Sequence, residues 1–379
     1  MAASDQDGIR RAAEVIAAGG LAAFPTETVY GLGADATNGV AVAAVFAVKG
    51  RPAADPLIVH VADEQDAARL GDLGPAQGVV RALTSEFWPG PLTVVVPRVD
   101  PRDGSPGIAP EVSQLDSVGL RCPANEIALA LIDAAGVPVA APSANRFGRV
   151  SPTTAGHVLE ELGDRVPIVL DGGPTRFGIE STVVASRGDR VEVLRPGAVT
   201  VESLRAILGK DRVEVAGHIA HDPTTDAAAA NTESAGPESL GPEPLGPEAL
   251  GAETLGAEVR GAESPGTSVS HYAPEVPVVL ANSGATADEL VPALSDHGVR
   301  VRRVVLPEPD RAAAGLYSLL RELDHEARRG TFDTVVFEAM DPSGLGRAVN
   351  DRLLRAANGH LVVTVNRPTL EAILVRLAR

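Results

Sequence analysis

The chain has 379 residues, 44% of them hydrophobic, enough for more than one core, so two domains are the natural expectation. Its formal net charge of −17 argues against a broad basic face for gripping nucleic acid, and the absence of a long apolar run argues against a membrane span. One cysteine, Cys122, excludes an internal disulfide framework and a cysteine-based zinc site, which fits a reducing cytoplasm.

The N-terminal stretch carries acids where a signal peptide would carry bases. Ile9, Ala12, Ala13 and Ile16 instead form the apolar stripe of a helix that stops at Gly19 and Gly20. "LAAF" then reads as a short buried strand, and "NGVAVAAVFAVKG" as a helix with Asn38 at its cap. Strand patterns follow at "PLIVHV", "PLTVVVP", "SVGLR", "VPVAA", "PIVLD", "STVVAS" and "VEVLRPG". Helices are expected at "NEIALALIDAAG", "TTAGHVLEELG" and "VESLRAILG". Strands outnumber helices and are unevenly spaced, which favours a twisted, mixed α/β sheet over a strictly repeating parallel fold.

Residues 221 to 266 change character. From Ala235 to Ser264 the chain repeats every five residues, "AGPES LGPEP LGPEA LGAET LGAEV RGAES", with one glutamate per unit and no aromatic. That period fits neither helix nor strand, so the segment reads as a flexible acidic linker. The α/β rhythm then restarts. "VPVVLA", "VRVRRVVL", "FDTVVFEA" and "HLVVTV" read as strands between three amphipathic helices, a smaller doubly wound, Rossmann-like domain without a cluster of catalytic residue types. The expected division is a catalytic domain at 1–215, a linker at 216–274 ending in "HYAP", and an accessory α/β domain at 275–379.

"GLGADA" matches a dinucleotide fingerprint, with Asp55 about twenty residues further on, but Thr37, Asn38 and Gly39 intervene before any helix, so no Rossmann site is expected there. Arginine supplies nearly all the positive charge, and lysine occurs only at Lys49 and Lys210. Lys49 closes a helical pattern and Arg51 leads out of it. A cation at a helix C-terminus is worth ~0.3–1 kcal/mol, but arginine would serve equally well there. A compact ammonium beside a planar guanidinium suits a triphosphate, the one as point charge and the other as fork. His60 stands on one face of its strand, where a lone histidine is usually structural. Ser143 and Asn145 follow a strand end, a place where α/β sheets hold ligands and also where ordinary turns form. Arg121 ends one strand, Ser181 and Thr182 open another, and Arg195 ends a third. Singly, each of these reads as structural.

Together they read differently. "FPTETVYGLGADA", "KGRPAADPLIVHV", "SVGLRCP", "APSAN", "GIESTVV", "LRPGA" and "HYAP" occur in one order. On these motifs the chain resembles the YrdC-like threonylcarbamoyl-adenylate synthases in their long two-domain form, strongly over residues 9 to 209 and more loosely beyond. The resemblance implies a YrdC-like catalytic domain and a nucleotidyltransferase. It would form threonylcarbamoyl-AMP and pyrophosphate from L-threonine, bicarbonate or carbon dioxide, and ATP with Mg²⁺, for t6A37 modification of tRNA. The implied partners are the proteins that pass the threonylcarbamoyl group to tRNA, with at most weak direct tRNA contact, no membrane and no tightly bound organic cofactor.

By motif match, Thr28, His60, Arg121, Ala141 (through its backbone) and Ser181 would hold threonine. Arg51, Asp55, Ser117, Ser143, Asn145, Ser151, Arg195 and Tyr272 would hold ATP, with Lys49 and Arg51 acting on the phosphates and no protein-held metal. Tyr272 is expected to cover the nucleotide as a lid. Family members commonly have asparagine before "PLIVH", and here the residue is Asp55. An acid beside a triphosphate is repulsive unless Mg²⁺ lies between them or the acid faces base or ribose. Two alternatives remain at this level. One is a carbamoyl-adenylate-forming enzyme, which would carry zinc-finger-type cysteines. The other is a non-catalytic RNA-binding or ribosome-associated module.

Overall fold

A computed structural model describes residues 6–75, 77–101, 104, 106–216 and 272–378. The acidic repeat and His271 lie outside the described residues. Ten strands form the first sheet: β1 Ala22–Pro25, β2 Tyr30–Asp35, β3 Ile58–His60, β4 Leu92–Pro97, β5 Ser117–Arg121, β6 Val139–Ala140, β7 Ile168–Val169, β8 Thr182–Arg187, β9 Arg190–Arg195 and β10 Val213–Val215. Their order is β10-β9-β8-β4-β5-β3-β6-β2-β1-β7. Parallel pairs such as β3–β5 and β4–β8 alternate with antiparallel pairs such as β4–β5, the mixed sheet that the uneven strand spacing predicts.

Successive side chains of a strand serve opposite faces. Ala22 and Phe24 pack with α1 (Gln6–Ala17) and α5 (Glu126–Ala135), whereas Ala23 packs with α2 (Gly39–Lys49) and α6 (Ala155–Leu162) on the other face. The same larger core takes in α3 (Glu64–Leu70), α4 (Val79–Phe87) and α7 (Val201–Leu208). Asn38 caps α2 by accepting from the Val40 and Ala41 amides, and Gly50 ends it at φ 64°. The cap and the stop are therefore read correctly from sequence.

β2 is missing from the sequence reading because its glycines hide the alternation. They are needed for packing. A Cβ at Gly33 would stand 2.8 Å from the Phe24 ring and 2.9 Å from Val139. The fingerprint-like "GLGADA" thus lies in a central strand, buried throughout, and not in a phosphate loop. β10, α3 and α4 are likewise not anticipated.

The second sheet holds β11 (Val278–Ala281), β12 (Val301–Val304), β13 (Thr334–Glu338) and β14 (Leu361–Val362), all paired in parallel in the order β12-β13-β11-β14. Val278 and Leu280 face α9 (Pro309–Arg328) and α10 (Gly346–Ala356). Val279 and Ala281 face α8 (Gly284–Asp296) and α11 (Arg367–Leu377), so helices cover both faces as expected of a doubly wound unit. α11 is a further element that sequence periodicity does not single out. Among the described residues, no helix is long and apolar enough to cross a membrane.

The core of the second unit continues into the first. Val29, Val150 and Ile179 pack in one cluster with Tyr272, Leu316 and Tyr317. At Gly178 (φ 69°) an added Cβ would lie 2.3 Å from the Ala314 carbonyl oxygen on α9, so only glycine admits this approach. Gly136 has a similar φ of 64° but nothing within 4 Å of an added Cβ. Gly136→Ala should therefore cost about 1–2 kcal/mol, the backbone penalty alone. Gly178→Ala should cost roughly 1–3 kcal/mol more through overpacking. Denaturant unfolding of the two variants measures the difference. Equal losses would mean that α9 does not sit on residue 178.

Candidate active site

β3 and β5 run parallel with His60 opposite Arg121. β6 lies on the other edge of β3 and leads into Ala141, Pro142 and Ser143. β8 begins just after Ser181, and Arg195 at the end of β9 pairs with Val183. These ends converge on one pocket with about 520 Å³ of empty space, part of it open to solvent. All the threonine-assigned residues, Thr28, His60, Arg121, Ala141 and Ser181, line it. Of the ATP-assigned residues, Arg51, Ser143, Arg195 and Tyr272 line the same pocket.

At the first end, Arg121 is held in plane by the protein. Its Nη2 donates to Glu27 Oε1 (2.7 Å) and Thr28 Oγ1 (3.0 Å), and its Nε to the Gly90 carbonyl (3.4 Å). Glu27 in turn accepts from the Ala124 amide (3.1 Å). Nη1 bonds no described residue. Glu27 is a residue the sequence reading misses; its one signal is an acid inside a motif that is otherwise buried. Beside Arg121 stands the Thr28 hydroxyl, which meets Thr26 Oγ1 (2.8 Å); the Ser181 hydroxyl, on the same pocket wall, meets Thr93 Oγ1 (2.8 Å) and accepts from Arg195 Nη2 (3.2 Å). His60 is buried edge-on against Phe24, and its Nδ1 has no partner among the described residues. Burial, and then the Arg121 charge, push its imidazole down to about 3, so it is a neutral polar wall.

At the second end, Arg51 Nη2 bonds Asp55 Oδ2 (2.8 Å) and the Pro56 carbonyl (3.0 Å), while its Nε reaches the Asp55 carbonyl (3.2 Å). Asp55 is therefore not a bare acid: its cation is Arg51. Burial raises its carboxyl, and Arg51, Arg195 and Lys49 oppose that rise. Asp55 does not reach the pocket wall.

Four more assigned residues stand behind the wall or away from it. Lys49 is buried, and its Nζ donates to the carbonyls of Ser143 (2.6 Å) and Asn145. Burial, and then the Arg51 charge, press its ammonium well below its ordinary value. Through these bonds Lys49 pins the turn that presents Ser143. Two carbonyls converging on one point suit a compact ammonium and not a planar guanidinium. Asn145 also builds this turn, donating Nδ2 to the carbonyls of Arg146 (2.7 Å) and Arg149 (2.9 Å). Ser151 donates to Glu180 Oε1 (2.6 Å) from behind the wall. Ser117 is paired with Pro97 at the far end of β5, ~13 Å along the strand from Arg121.

Tyr272 is part of the pocket wall. Its ring, 1% exposed, stacks on Tyr317 at 5.6 Å with the Arg352 guanidinium 5.4 Å from its centroid. Glu180 is the second residue the sequence reading misses. It lines the pocket and accepts from Ser151, Tyr317 (2.7 Å) and Arg352 Nε (3.0 Å). Burial alone would raise its carboxyl, but Arg352, Arg195 and these hydrogen bonds outweigh it and hold the carboxyl below its ordinary value.

Two outcomes follow. Lys49→Arg should lose roughly 1–3 kcal/mol of stability through overpacking and lower turnover, whereas Lys210→Arg on the surface should do neither; thermal melts and turnover rates check both. The His60 resonances should not titrate between pH 5 and 8 by NMR. Because its folded pKa lies below the unfolded value, His60 contributes stability above about 6.5 that is lost as pH falls toward about 3. A titration midpoint near 6.5 would contradict the buried neutral ring.

The family model for Sua5, YciO and YrdC, described as "Telomere recombination", matches residues 14–197, and the model described as "Threonylcarbamoyl-AMP synthase, C-terminal domain" matches residues 199–358. The threonylcarbamoyl-AMP synthase of Bacillus subtilis (strain 168) is 34% identical over 93% of this chain and 94% of its own. A shorter one from Halorhodospira halophila is 34% identical over 43% of this chain and 82% of its own. The crystal structure of Pyrococcus abyssi Sua5 complexed with L-threonine superposes with a TM-score of 0.77 at 31% identity, covering 95% of this chain and 97% of that one. With both family models matched in order and full-length relatives above 30% identity, the chain belongs to the Sua5/YrdC family in its long two-domain form.

Proposed function

We propose that the pocket is the catalytic site of a threonylcarbamoyl-AMP synthase, which joins L-threonine, bicarbonate or carbon dioxide, and MgATP into threonylcarbamoyl-AMP and pyrophosphate. The observation that carries this reading is that the whole threonine set and half of the ATP set line one pocket. Arg121, Thr28 and Ser181 line it together with Arg51, Arg195 and Ser143, and the Ser181 hydroxyl accepts from Arg195 Nη2 at 3.2 Å. The full-length relatives named for this activity support it, as does the L-threonine complex of the Pyrococcus abyssi protein.

The chemistry asks little of the protein by way of acid or base. The threonine amine, once deprotonated, attacks carbon dioxide and gives a carbamate. A carbamate oxygen then attacks the α-phosphorus of ATP, and pyrophosphate leaves. With His60 neutral and poorly basic, the side chains position the reactants and offset charge. Holding two reactants in register is worth ~7–11 kcal/mol of barrier. Arg121 would fix the threonine carboxylate through Nη1, with the Thr28 and Ser181 hydroxyls beside it. Arg51 and Arg195 would offset charge growing on the phosphates, as preorganised cations do. Mg²⁺ enters this reading as part of the MgATP substrate. The product would pass to the proteins that transfer the threonylcarbamoyl group to tRNA.

Pyrophosphate release tests the reading directly. Protein, ATP, Mg²⁺ and bicarbonate should release pyrophosphate only when L-threonine is added, and threonine should be ineffective without bicarbonate. Equal release with and without threonine would overturn it.

A further inference from the structure

Glu180 is the one carboxylate on a wall that also carries Arg51, Arg121 and Arg195. A negative charge is out of place where a polyphosphate is to sit. Its neutralising partner comes from the other domain. Arg352 on α10 is fully buried, and its Nε donates to Glu180 Oε2 at 3.0 Å. Its Nη1 donates to the Pro196 carbonyl at 2.7 Å, next to Arg195, and to Asp351 Oδ2 at 2.8 Å. Tyr317 on α9 shares Glu180 Oε2 at 2.7 Å, and Ser151 holds the other oxygen. Arg352 itself is not on the pocket wall.

We propose that Arg352 is a positioning residue for ATP: from the C-terminal domain it neutralises Glu180 and holds that carboxylate in the wall, so that the pocket presents net positive charge to the phosphates. This rests on the reading of the pocket as an ATP site. Three features support a charge role beyond packing. The guanidinium meets Glu180 as a charge-assisted pair, and such pairs outweigh neutral hydrogen bonds. The site is buried, where salt screens little. The same guanidinium lies over the Tyr272 ring, a second pocket residue, so one cation orients two parts of the wall.

The test is a charge cycle on the full chain, with MgATP and L-threonine titrated separately by calorimetry and folding followed by circular dichroism. Arg352→Gln should weaken MgATP binding at least tenfold and change threonine binding less than threefold, because it removes the counter-charge bonded directly to Glu180. Adding Glu180→Gln to that variant should recover most of the lost MgATP affinity, since no charge is then left to compensate. A purely structural role predicts the opposite, with the double variant no better than the single one. That result, or an Arg352→Gln variant that binds MgATP like the wild type, overturns the proposal. If Arg352→Gln does not fold, Tyr317→Phe replaces it. That variant removes one bond to Glu180 while keeping Arg352, and it should weaken MgATP binding about threefold with threonine binding unchanged. Unchanged MgATP binding there also overturns the proposal. Wild-type protein that binds no MgATP at all would instead overturn the ATP reading itself, before any variant is compared.

Discussion

A carboxylate that folding takes out of water must be paired, and Glu180 is paired across the domain boundary. Its partner Arg352 lies 172 residues away in sequence and is completely buried. Removing one member of such a pair costs on the order of 3–5 kcal/mol, because the other is left as an uncompensated buried charge. Neither member therefore tolerates loss of the other, and each fixes where the other must lie. Much else follows from it. Tyr317 is drawn to Glu180, Tyr272 stacks on Tyr317, and Tyr272 thereby becomes pocket wall. The site of the first domain is completed by the core of the second.

The arginines of the pocket obey the same rule at smaller scale. Each is oriented by the protein before any ligand arrives. Glu27 orients Arg121, Asp55 orients Arg51, and the Ser181 carbonyl accepts from Arg195 at 3.0 Å. Two of these arginines thus carry a local counter-charge, which keeps a cluster of buried cations tolerable and fixes each fork in plane. The departure at Asp55 gains a physical account on these terms. An acid at that position does not meet phosphate bare, because Arg51 lies on it.

Much of this was legible in the sequence, and what was not has identifiable reasons. Capping residues act locally, so Asn38 and Gly50 mark α2 without help from the rest of the chain. Strand ends are local too, and they put Arg121, Ser181 and Arg195 where the pocket forms. β2 was not legible, because Gly31 and Gly33 stand where apolar side chains would show the alternation. The roles of Lys49 and Asn145 were half legible: Lys49 stood out beside Arg51 and Asn145 beside Ser143, but bonds from Lys49 to carbonyls 94 and 96 residues away are set by the sheet and leave no periodic trace. Glu27 and Glu180 were missed for a related reason. Each is an acid whose partner lies far along the chain, and pattern alone does not say whether an acid faces solvent, metal or arginine.

The shorter Halorhodospira halophila relative carries the same activity name while matching less than half of this chain. A second domain of this kind is therefore not common to every protein of that name. What the second domain adds here is visible in where it touches the first. α9 covers Gly178, α10 supplies Arg352 to Glu180, and the Ala273 amide bonds the Gly148 carbonyl at 2.9 Å. These contacts fall on the segments that carry Glu180, Ser181 and Ser151. The second domain therefore packs directly behind the pocket wall.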